Sequence, residues 1–156
     1  MTDFERFTAP LHGLSVSSVW RGAGTAIFLE FGEGPNLSAD RSDERRTGAF
    51  TLMLEWSWRI EGETKILGGS FSDAPVIEEA LYGCVGRRVE SVALYGRLPE
   101  VRLALSGGRD VVSFMTAEGD PEWTLFDNRG PATRWVHAVG GALAFAAEDA
   151  SAPTGL

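Results

Sequence analysis

The sequence predicts an α+β fold, mainly antiparallel β-sheet of roughly eight to ten strands with one helix near residues 73–84. Three observations carry that expectation. Nineteen glycines cut the 156 residues into short segments. The run 50–60 places Phe50, Leu52, Leu54, Trp56, Trp58 and Ile60 at every second position. A strand sends alternate side chains to opposite faces, so this pattern suits a strand with one apolar face. Ile77, Ala80, Leu81 and Cys84, by contrast, recur at helical spacing.

The elements follow in order. Residues 14–20 and 25–31 are β-rich runs joined by Arg21-Gly22-Ala23-Gly24, which reads as a hairpin. Residues 33–47 are polar, with Pro35 and the run Arg41-Ser42-Asp43-Glu44-Arg45-Arg46, and are expected to form a flexible loop. The run 50–60 reads as one long strand. Residues 64–71 form a short strand whose Gly68-Gly69 pair marks a bulge or a close backbone approach. Ser72-Asp73-Ala74-Pro75 starts the helix: the Asp73 carboxylate suits an N-cap, and Pro75 is tolerated in the first turn. Gly83 or Gly86 ends it. Strands are then expected at 89–95, 101–105, 111–115, 122–126, 134–139 and 142–146, with glycines or prolines between most of them. The tail 148–156 is small and polar and is expected to fray. Apolar segments run throughout, so 1–156 reads as a single domain.

Composition narrows the function classes. A formal net charge of −8 opposes binding to phosphate backbones and to anionic membranes, but leaves room for a basic protein partner. The N-terminus lacks the basic start and apolar run of a secretory signal, and no apolar stretch approaches the roughly 18 residues of a membrane helix. The expected address is cytoplasmic. One cysteine, Cys84, excludes an internal disulfide and a cysteine-based zinc site.

The motifs of familiar chemistry are absent. Gly68-Gly69-Ser70-Phe71-Ser72 lacks the last glycine of a nucleophile elbow, so Ser70 reads as packing. His12 and His137 are far apart, and His137 shares a strand face with Trp135 and Val139, which suits a structural histidine. Glu118, Asp120, Glu122 and Asp127 cluster about a turn and read as solvated carboxylates. No catalytic residue, metal site or cofactor is therefore expected. Tryptophan can line a ligand cup or fill a core, and Trp56, Trp58 and Trp123 are the candidate ligand-binding residues. Core is the simpler reading for them, since large aromatics dominate core burial.

Certain stretches carry a resemblance. Trp56-x-Trp58-Arg59, Leu67-Gly68-Gly69-Ser70 and the helix ending near Gly83 are followed by Leu98-Pro99-x-Val101-x-Leu103-x-Leu105-Ser106-x-Gly108, Phe114 and Glu122-Trp123-x-Leu125. Over residues 48–126 this order resembles a group of small uncharacterised bacterial α+β proteins, some of them thought to be immunity-like. The resemblance implies a fold and no particular activity. Taken with the net charge of −8 and the missing catalytic motifs, it leads to the expectation of a non-catalytic, immunity-like binding protein with an acidic face toward a basic protein partner. The alternatives are a small-molecule binding protein with an aromatic-lined pocket, and an enzyme of unfamiliar type.

Overall fold

The computed structural model describes residues 1–34 and 47–149. The chain opens with α1 (Asp3–Thr8), followed by a short 3₁₀ turn (Ala9–Leu11). Strands β1 (Val16–Arg21), β2 (Ile27–Phe31) and β3 (Phe50–Leu54) come next, then β4 (Trp58–Glu61), β5 (Ile66–Gly69) and α2 (Ala74–Tyr82). Six strands complete it: β6 (Val89–Tyr95), β7 (Glu100–Leu105), β8 (Arg109–Ser113), β9 (Trp123–Asp127), β10 (Arg134–Val139) and β11 (Ala142–Ala147).

Mainly antiparallel β-structure with helix is what the sequence predicts, but the described residues hold 11 strands and two α-helices, more of each than expected. The extra helix is α1. Thr2 Oγ1 accepts from the Glu5 amide at 3.1 Å while Glu5 Oε2 accepts from the Thr2 amide at 2.8 Å, a reciprocal capping box that satisfies two otherwise orphaned donors. The extra strand arises where the expected long strand 50–60 divides. Trp56 takes φ +60°, a left-handed conformation that no extended strand contains, so the chain turns a corner there. Residues before the corner join one sheet and residues after it join the other. The helix α2 starts at Asp73 as expected, but the cap works through the Asp73 carbonyl, which accepts from the Val76 and Ile77 amides; the side chain makes no capping bond. The expected loop 33–47 and tail 148–156 lie largely outside the described residues.

The strands form two antiparallel sheets, ordered β1-β2-β3-β9-β10-β11 and β5-β4-β8-β7-β6. The chain thus enters the second sheet at the Trp56 corner and returns to the first at β9. One apolar cluster draws on both sheets and both helices: Leu29, Leu52 and Leu125 from the first sheet, Ile60, Leu103 and Val111 from the second, Phe4 and Phe7 from α1, and Ile77 and Leu81 from α2. The two sheets therefore bury their apolar faces against each other, as packed layers require. The amides and carbonyls of Leu14, Val16, Arg87 and Val89 also interlock, tying the start of β1 to the start of β6. Gly68 lets α2 lie close on β5: a Cβ there would meet the Ala80 Cβ at 3.0 Å. That is the close approach expected of the glycine pair.

No helix among the described residues is long and apolar enough to cross a membrane.

Candidate binding cavity

The outward faces of the two sheets differ, and the difference locates the candidate site. On the second sheet the outward side chains include Arg59, Glu61, Arg102 and Asp110. They form a chain of ion pairs, with Arg59 Nε to Glu61 Oε2 at 2.7 Å and Arg102 Nη1 to Asp110 Oδ2 at 2.7 Å. Such partly exposed pairs are the ordinary furniture of a solvated sheet face. The first sheet is built otherwise. In β2, Ile27, Leu29 and Phe31 point into the core, so Phe28 and Glu30 must point out. By the same alternation Trp20, Thr51, Met53, Thr124, Phe126, Trp135 and His137 also face outward.

Strand register aligns these outward residues into two ranks. One runs Trp20, Phe28, Met53, Thr124, His137 across β1, β2, β3, β9 and β10. The other runs Ser18, Glu30, Thr51, Phe126, Trp135 across the same five strands. Trp20 stacks on Phe28 with centroids 3.6 Å apart and planes 5° from parallel. Phe126 and Trp135 lie 6.3 Å apart at 49°. Two aromatic pairs therefore flank the polar residues Glu30 and Thr51. Together with Asn128, Thr133 and Glu148 they line a cavity of about 610 Å³.

Glu30 is the polar centre of this cavity and is only 2% exposed. Its Oε1 accepts from the Gly48 amide at 2.9 Å and from the Thr51 hydroxyl; its Oε2 accepts from the Trp20 indole N–H at 3.0 Å. Asn128 Nδ2 donates to Thr51 Oγ1 at 2.9 Å and to the Gly48 carbonyl at 3.1 Å, which extends the network to β9. Gly48 has to be glycine for this geometry. A Cβ there would stand 2.6 Å from the Phe31 backbone, and the loop could not bring its amide to Glu30.

The residues singled out from sequence lie elsewhere. Trp58 and Trp123 are 0% and 1% exposed inside the shared core. Their indole N–H groups donate to the carbonyls of Thr25 at 2.7 Å and Pro99 at 2.9 Å, so each is satisfied without a ligand. Trp56 is 66% exposed at the corner between the sheets. The structure does not bring these three tryptophans to the cavity; it brings Trp20 and Trp135. Ser70 is buried, its hydroxyl accepting from the Trp58 amide at 3.3 Å. His137 sits half-buried in the first outward rank.

Two further groups have reactive types but structural settings. Burial pushes the Cys84 thiol above its ordinary value, against the pull of nearby Arg109 and Arg87, so the thiolate needed for nucleophilic chemistry is disfavoured. Asp127 leaves the carboxylate cluster about the turn altogether and closes one end of the core. Burial alone would raise its pKa, but hydrogen bonds from Arg129 and Arg134 outweigh that and hold it at about 2. The two guanidinium groups also lie over the Phe50 and Phe7 rings, at 4.9 and 5.4 Å. Among the described residues, no three His, Cys, Asp or Glu side chains converge as a metal site would need.

Compared with known proteins, the chain matches no family model, no curated protein sequence and no solved structure.

Proposed function

We propose that this chain is a non-catalytic binding protein whose site is the aromatic cavity on the outward face of the first sheet, and that it takes a small organic molecule. The observation that carries this reading is the cavity itself: about 610 Å³, walled by two aromatic pairs, with a nearly buried carboxylate at its centre. Ligand sites are concave, mostly apolar and fitted with a few fixed polar groups, and the volume lies in the range of small-molecule sites. An outward sheet face would otherwise favour polar side chains, as the second sheet's does. The test is a thermal-shift screen of the whole chain and of Trp135→Ala against a metabolite library. Ligands that raise the melting temperature of the wild type and not of the variant support the reading. A library without a single such ligand would count decisively against it.

A second reading, an acidic face for a basic protein partner, is favoured by a different place. At the Trp56 corner the Glu122 carboxyl is pushed above its ordinary value, first by burial and then by the charges of Glu55 and Asp120. Acidic groups thus crowd beside a tryptophan that is 66% exposed, and exposed tryptophan is a common anchor of protein contacts. A pull-down from the native host at low salt tests it. Equal recovery of any basic partner by the wild type and by Trp56→Ala would sink it.

A further inference from the structure

We infer that the ligand of the aromatic cavity is an organic cation, carrying a substituted ammonium or guanidinium group. The inference rests on the cavity being the binding site and adds the chemical class of what enters it.

Three observations converge. The first is the bonding of Glu30. A carboxylate that is 2% exposed is normally paired with a cation, because burying an uncompensated charge is costly. Among the described residues, the partners of Glu30 are all neutral: an indole N–H, a backbone amide and a hydroxyl. They use three of the roughly four acceptor positions that a carboxylate offers. The second is the charge of the wall. Among the described residues, the charged ones lining the cavity are Glu30 and Glu148, with no Arg, Lys or His beside them. Arg129 and Arg134, which belong to this end of the sheet, are engaged by Asp127. The third is the aromatic content. Trp20, Phe28, Phe126 and Trp135 present ring surface to the same space, and ring faces attract cations, indole most strongly. A cation here would be held by ring faces and would supply a counter-charge that Glu30 lacks among the described residues. Among the described lining residues, an anion would meet two carboxylates and no positive group. A neutral molecule would gain stacking alone.

The experiment compares matched pairs of probes on the full chain by isothermal titration. Choline is set against its neutral carbon isostere 3,3-dimethylbutan-1-ol, and n-butylguanidinium against n-butylurea, with indole as a neutral flat probe. At least one cation is expected to bind at least about tenfold more tightly than its isostere, as a desolvated cation–π contact with a carboxylate behind it implies. That preference should shrink several-fold in Glu30→Gln. Should that variant fail to fold, Glu148→Gln at the exposed rim replaces it. Isosteres binding as tightly as the cations would overturn the cation inference and leave the cavity standing as a binding site. So would indole binding while both cations fail. Failure of all five probes would overturn the cation inference, and failure of the metabolite screen as well would remove the cavity reading with it.

Discussion

Two residues show how local physics sets the behaviour of this chain. Asp127 is 3% exposed and held by two arginines, with its folded pKa at about 2 against an ordinary 3.8. The folded value lies below the unfolded one. Its stabilisation is therefore complete above about pH 5 and is lost as pH falls through about 4 toward 2. Asp127→Asn should cost roughly 1–2 kcal/mol at neutral pH and should flatten the acid limb of stability. Urea unfolding of both chains from pH 2 to pH 7 reads this directly; parallel acid limbs would contradict it. Trp56 and Trp58 make the second case. They are alike in sequence pattern and opposite in setting. Trp58 fills the core, so Trp58→Ala should cost about 3–5 kcal/mol. Trp56 is exposed at φ +60°, a strained position for any residue but glycine. Trp56→Gly should shift stability by less than about 1 kcal/mol, since relief of strain offsets the lost contacts and the added chain entropy. Chemical denaturation of the two variants tests the contrast.

At the scale of elements, the sequence carried most of the strands because period-two alternation is local. The hairpin at Gly22–Gly24, the six strands after α2 and the helix itself stand within a few residues of where the pattern puts them. What it hid was the corner. Alternation continues unbroken from Phe50 to Ile60, and a tryptophan gives no sign that its backbone will turn left-handed. The helix α1 was not among the expected elements, although a signal for it was present: Thr2-x-x-Glu5 is a capping-box spacing, with Phe4 and Phe7 on one side. It is short, and its stability comes from those two rings packing on Trp123 and Phe50, contacts that no local reading supplies. The glycines that shape elements act through space in the same way. Gly48→Ala should lose the amide that holds Glu30 and should weaken cavity binding more than it lowers the melting temperature, because the clash with Phe31 displaces the loop before the sheet. Gly68→Ala should do the reverse, loosening α2 on β5 while leaving binding intact. Paired melting and titration of both variants separates the two roles.

Over the whole molecule, the candidate site depends on pairings that sequence cannot reveal. Strand β3 meets β9 across some seventy residues of chain, and only that register sets Thr51 beside Phe126, in the same rank as Glu30 and Trp135. Part of the signal was present: Ile27-Phe28-Leu29-Glu30-Phe31 is apolar on both faces save for one carboxylate, which is unusual for a strand with a solvated side. Trp58 and Trp123 instead fill the interior that holds the two sheets together, and the tryptophans that line the cavity are those on the outward ranks, Trp20 and Trp135.

Five indole N–H groups distributed this way report directly on whether a ligand enters the aromatic cavity. The measurement is a ¹⁵N-resolved NMR titration of the whole chain with choline or n-butylguanidinium, following the indole signals. Shifts are expected at Trp20 and Trp135, with Trp58 and Trp123 unmoved in the core. Shifts confined to Trp56, or none at the cavity tryptophans at saturating probe, would contradict it.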